Sequence, residues 1–183
     1  MSGLTFKTTH GDSIEITNGT RDWWVNNCNF MQWDDGALDI VRAPSGGSAI
    51  GGTVSRCTFA GGDKAMLIGN DDDRVLDILL HVTIDHCLFT HFGRRAPYVR
   101  FATVHMRDTL IQNWGQVGQD EATAISLRRD ARMLMERVTM TGGPKAGKAV
   151  TVKGGAMFAS VDSHGHDQPN VGVVGYPPYH ERY

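Results

Sequence analysis

The sequence predicts an all-β fold, a right-handed parallel β-helix of about six coils, and three observations carry that expectation. A template of one aliphatic residue, two polar residues, Cys, any residue and Phe recurs from Val25 to Phe30, from Val54 to Phe59 and from Ile84 to Phe89, with the cysteines 29 and 30 residues apart. A second short strand-like stretch precedes each copy. Glycine makes up 22 of the 183 residues and is spread along the chain rather than gathered in a linker, as many turns between short strands require. At this length a single domain over 1–183 is expected, with 165–183 a loop-like C-terminal tail.

The elements follow in order. Ser13 to Ile16, Ala37 to Ile40, Ala65 to Ile68, Tyr98 to Phe101, Ala124 to Leu127 and Ala149 to Val152 each read as a short strand. A copy of the template follows each one. The copies are strong in the first three coils and weaker at Met106 to Ile111, Met135 to Met140 and Phe158 to Ser163, where Thr109, Val138 and Val161 take the Cys position. The aliphatic residue and the Cys are three apart while the Cys and the Phe are two apart, so alternation fails once in the middle and the strand must kink. Each coil then holds two or three short strands joined by bends. Arg74 to Val82 reads as a helix or as one long strand, and His164-Gly165-His166 as a solvated loop.

The cysteines are expected to stack inside the solenoid as small apolar residues about 4.8 Å apart. The chain has no C-x-x-C pair, and an odd number of cysteines cannot form a fully paired disulfide framework. Lys and Arg number 18 against 20 Asp and Glu, a net charge of −2, so no general attraction to nucleic acid or to an anionic membrane is expected. The apolar runs fall far short of the roughly 20 residues that cross a bilayer. The opening Met-Ser-Gly-Leu-Thr-Phe-Lys lacks the charged and apolar regions of a signal peptide.

The outward positions carry the chemistry. Leu38 and Ile40 point inward, so Asp35 and Asp39 share the outward parity and place two carboxylates on one face. Asp12 sits just before the equivalent strand one coil earlier. Lys64 begins that strand one coil later, and Arg95 and Arg100 flank it in the coil after that. Stacking at about 4.8 Å per coil lines these residues up in a stripe of roughly 15 Å, acidic at one end and basic at the other. Such a stripe suits a metal ion beside an anionic chain.

In residues and in order, Asp35-Gly36-Ala37-Leu38-Asp39-Ile40-Val41-Arg42, then Asp63-Lys64-Ala65-Met66-Leu67-Ile68-Gly69, then Arg95-Ala96-Pro97-Tyr98-Val99-Arg100 with Val104-His105 resemble the pectate lyases of polysaccharide lyase family 1. The closing Tyr176-Pro177-Pro178-Tyr179 is similar to that family's tail. The resemblance covers about residues 10 to 140, without the family's N-terminal cap and first coils. Departures fall at His10, where relatives place an acid, at Asn26-Asn27 and at Tyr98.

The resemblance implies a secreted, calcium-dependent lyase that cleaves α-1,4-polygalacturonate by β-elimination to 4,5-unsaturated products. By motif position Asp12, Asp35 and Asp39 would bind Ca²⁺, Lys64 and Arg100 would bind substrate carboxylates, and Arg95 would be the base. Hard Ca²⁺ takes oxygen ligands, and a bridged uronate carboxylate acidifies the proton on carbon 5. The alternatives are a pectin lyase acting on methylated substrate and a non-catalytic pectin-binding solenoid. With no capping helix in the sequence, the open N-terminal coil is expected to drive self-association.

Overall fold

The computed structural model describes residues 1–7, 10–45, 48–117 and 122–172. Its strands fall into six rungs of three. The first rung holds β1 (Thr5–Lys7), β2 (Ile14–Ile16) and β3 (Trp23–Asn26), and the second β4 (Asn29–Met31), β5 (Gly36–Ile40) and β6 (Ile50–Ser55). The third holds β7 (Thr58–Ala60), β8 (Lys64–Ile68) and β9 (Leu80–Asp85), and the fourth β10 (Leu88–Phe92), β11 (Tyr98–Arg100) and β12 (Thr103–Arg107). The fifth holds β13 (Leu110–Trp114), β14 (Ile125–Arg128) and β15 (Arg132–Glu136), and the sixth β16 (Thr139–Thr141), β17 (Val150–Val152) and β18 (Met157–Val161). Each strand pairs in parallel with its counterparts one rung away, which gives three six-stranded sheets: β1-β4-β7-β10-β13-β16, β2-β5-β8-β11-β14-β17 and β3-β6-β9-β12-β15-β18. The predicted parallel solenoid is what the chain forms.

The template is the corner between the third strand of one rung and the first strand of the next. Its second polar residue adopts the left-handed region: Asn27, Arg56, His86, Asp108, Arg137 and Asp162 have φ between 48° and 52°. That residue is the kink, and Asn, His and Asp are the side chains that best tolerate it. The residue that follows is buried and small. Cys28, Cys57, Cys87 and Thr109 are at most 3% exposed. These side chains do more than fill space. Cys28 Sγ, Cys57 Sγ, Cys87 Sγ and Thr109 Oγ1 donate to the carbonyl two residues back, across the kink, at 3.3, 3.2, 3.4 and 2.8 Å. Two of them also serve the neighbouring rung: the Cys28 N–H donates to Cys57 Sγ and the Cys87 N–H to Thr109 Oγ1. In these four rungs the position takes a small residue with both a donor and an acceptor, in a place where an unpaired backbone group would be costly, whereas Val138 fills it in the next rung by its apolar bulk alone.

Two residues beyond, Phe6, Phe30, Phe59 and Phe89 form a stacked column with ring centroids 5.1, 4.6 and 4.6 Å apart. Leu38, Met66, Val99 and Leu127 face them from the second sheet and Val25, Val54, Ile84 and Met106 from the third, all in one buried cluster.

Two expectations need correction. The last copy of the template is displaced by two residues. Phe158 pairs with Met133 and Ser160 with Met135, so the kink is Asp162 and the small position is Ser163, whose Oγ donates to the Val161 carbonyl at 3.0 Å. Val161 itself is 49% exposed. Arg74 to Val82 is neither one helix nor one strand. A 3-10 turn, Val75–Leu79, precedes β9, and Val75, Leu76 and Ile78 face solvent while Asp77 is completely buried.

Of the histidine loop, His164 is exposed and joins Thr139 through a β-bridge, whereas the His166 ring packs edge-on against Phe158 at 5.5 Å, half-buried rather than solvated. Within 165–172, Val171 bridges back to Phe158. The Tyr176 to Tyr179 stretch lies outside the described residues.

Candidate active site

The second sheet carries the charged stripe. Its register runs Glu15, Asp39, Leu67, Tyr98, Ser126 and Thr151 along one row, each outward because Leu38, Ile40, Met66, Ile68 and Val99 are buried. At the start of the same sheet Gly36 pairs with Lys64, and Lys64 with Arg94. Acidic residues thus dominate rungs one and two, where Arg42 pairs with Glu15 at 3.0 Å, and Lys64, Arg94 and Arg100 follow on rungs three and four.

Gly36 makes the acidic end possible. A Cβ built there would lie 2.5 Å from Asp12 Oδ1 and 2.9 Å from Asp39 Oδ1, so carboxylates from two rungs converge over a position that only glycine leaves open. Burial pushes the Asp39 carboxyl up to about 7, helped by Asp12 and Asp35 and opposed by Arg95. Asp12 is raised as well, by burial first and then by Asp35, although the Gly36 N–H donates to it. Burial and the neighbouring carboxylates thus outweigh the opposing Arg95 and Lys64 charges. Asp35 is held by the Lys64 ammonium. Of the three predicted acids, Asp12 and Asp39 therefore meet over Gly36 while Asp35 turns to Lys64 beside them, and carboxylate oxygens of this kind are the hard donors that Ca²⁺ takes. His10, fully exposed, lies 4.0 Å from Asp34.

At the basic end, Arg95 sits in the left-handed region with φ 64°. Its backbone is locked between rungs: its carbonyl accepts from the Met66 N–H at 2.6 Å, and the next N–H, Ala96, donates to Ala124 O at 2.7 Å. Burial, together with the neighbouring Arg94 and Arg100 charges, lowers the Arg95 guanidinium from its ordinary value, against the pull of Asp39. Arg94 pairs with Asp63 at 3.2 Å.

Arg100 and Arg95 lie over the Tyr98 ring at 4.5 and 5.3 Å. Arg100 Nε donates to Asp72 Oδ1 at 2.9 Å and Nη1 to the Asn70 carbonyl at 2.8 Å. Arg129, one rung on, binds the other Asp72 oxygen at 2.9 Å.

Sequence reasoning missed Asp72, Arg129 and Asp77. The Asp77 carboxylate accepts the Ala43 N–H at 2.8 Å and the Asn70 N–H at 2.7 Å, and so anchors the loop that reaches Arg100. The acid-rich Asn70-Asp71-Asp72-Asp73 run is the signal that could have found this contact. Elsewhere Asp85, His86 and Asp108 also cluster, but Asp85 pairs with Arg107 and Asp108 with Arg137.

The model of the family described as pectate lyase matches residues 5–170. Among curated proteins, "Probable pectate lyase 16" of Arabidopsis thaliana is 33% identical over 112 residues, covering 59% of this chain and 26% of that protein. "Pectate lyase 4" of Ambrosia artemisiifolia is 32% identical over 105 residues, 57% of this chain and 25% of that protein. The matched region is thus about a quarter of the length of these relatives. Among solved structures, a thermostable pectate lyase, PL 47, superposes with a TM-score of 0.60 at 20% identity over 83% of this chain and 40% of its own. The cedar-pollen allergen jun a 1 gives 0.55 at 17% identity, over 82% and 50%. Both share the solenoid fold.

Proposed function

The chain belongs to the pectate lyase family, and from that premise we propose that it cleaves α-1,4-polygalacturonate by β-elimination with calcium as cofactor. One observation carries the reading: carboxylates from two rungs converge over Gly36, and an arginine of lowered basicity stands beyond Lys64 on the same face. Asp12, Asp35 and Asp39 would hold Ca²⁺, which when bound neutralises a uronate carboxylate and acidifies the proton on carbon 5. Arg95 takes that proton. Its lowered basicity gives it a larger neutral fraction than a solvated arginine, and the locked backbone fixes its direction. The electron pair left on carbon 5 forms the double bond to carbon 4, and the bond from carbon 4 to the glycosidic oxygen breaks, that oxygen keeping the bonding pair and taking a proton from water. Lys64 and Arg100 bind flanking carboxylates, and the Tyr98 ring supports the Arg100 guanidinium from beneath. A wall polymer as substrate goes with secretion.

The test follows the ultraviolet absorbance of the unsaturated product on polygalacturonate, with and without a chelator. Absorbance is expected to rise only with calcium present. A chain that gives no unsaturated product refutes the reading. Product from methylated pectin under chelator would assign a pectin lyase instead.

A further inference from the structure

Arg100 is held before any substrate arrives. Its guanidinium has five N–H donors, of which Asp72 and the Asn70 carbonyl take two, leaving three for a carboxylate. Its face rests on Tyr98, so the group is restrained at an edge and on a face together. Both outer contacts come from the loop that leaves β8. The loop starts at Gly69 (φ 87°), where a Cβ would run into the Arg100 backbone. It is then pinned by the fully buried Asp77 carboxylate, which holds the Asn70 N–H and ties the loop across to Ala43 in the previous rung. Asp72 is itself gripped from the far side by Arg129.

We propose that Asp72 is a positioning residue for substrate binding: it presets Arg100 so that the remaining N–H donors meet a uronate carboxylate. This deepens the lyase reading and rests on it. A long arginine at a groove loses rotamer freedom when it binds, and a side chain frozen beforehand has less to lose. Asp72 stays ionised, because the Arg129 and Arg100 guanidinium groups hold its carboxyl below the usual range.

The experiment measures tetragalacturonate binding by titration calorimetry, with KM and kcat on polygalacturonate, for the wild type, Asp72→Ala, Arg100→Ala and the double variant. Asp72 is half exposed, so Asp72→Ala is expected to fold with an unchanged circular dichroism spectrum. It should weaken binding and raise KM by about three- to tenfold with kcat nearly unchanged, and it should add nothing once Arg100 is gone. Asp72→Glu, which keeps the carboxylate, should recover part of the loss.

Binding by Asp72→Ala equal to or tighter than wild type overturns the proposal, since Asp72 would then be a spectator or a competitor for the substrate's place. A loss that persists in full in the Arg100→Ala background overturns it too. A wild type that binds no tetragalacturonate overturns the lyase reading and this inference with it, whereas a wild type that binds while Asp72→Ala is unaffected overturns this inference alone.

Discussion

Arg95 combines a half-buried guanidinium, two cationic neighbours and a backbone fixed between rungs. Arg95→Lys keeps a positive charge but loses the planar fork, so turnover should fall by about 10² to 10⁴-fold while KM changes little, as steady-state kinetics will show. Neutral Arg95 is the active form, and its fraction grows with pH. kcat/KM should therefore climb through neutrality to the alkaline side, and a maximum near pH 5 would contradict the role. Asp39 titrates the other way. Its carboxyl holds its proton up to about 7 in the fold but only to about 3.8 when unfolded. Protonation of Asp39 thus favours the metal-free fold. That stabilisation is full below the unfolded value and is lost as pH rises through about 7. The melting temperature without calcium should drop between pH 5 and 8, and Asp39→Asn should flatten that drop in a calorimetric scan.

At the scale of the element, the corner template decides both what is tolerated and what could be read in advance. Cys57→Ala strands the buried Cys28 N–H and should cost about 1–3 kcal/mol by urea unfolding. Cys57→Thr should cost less, because Thr109 fills the same position one rung further along than Cys87 with both contacts made. Strand order, the kink and the Phe column were legible because each rung repeats them. The last kink was misplaced because the apolar Phe158 stands in for the template's leading aliphatic residue two positions early, where Ser160 holds that place. Asp12, Asp35 and Asp39 were legible as outward carboxylates on adjacent rungs. Asp77 was not: its partners are backbone N–H groups of residues in two different rungs, and no spacing along the chain reveals them.

At the scale of the molecule, the rungs form a stack in which each touches only its neighbours; β1 and β2 end it with one paired edge each, while the outer edge of β3 is covered by Met1 to Gly3, which bridge to Asn26. Phe6, Ile14, Ile16 and Trp23 on that rung are only partly covered. The 183-residue chain should therefore run as a dimer or larger at micromolar concentration in light scattering, and a clean monomer would refute this. The same rung supplies Asp12, whose carboxylate meets Asp39 of the next rung over Gly36. A cation shared by these two acids would staple the outermost layer of the stack to its neighbour, so fraying and metal affinity become linked quantities. Amide exchange in β2 should slow when calcium is added while that in β17 stays as it was, and any substitution that loosens β2 should weaken calcium binding from a distance.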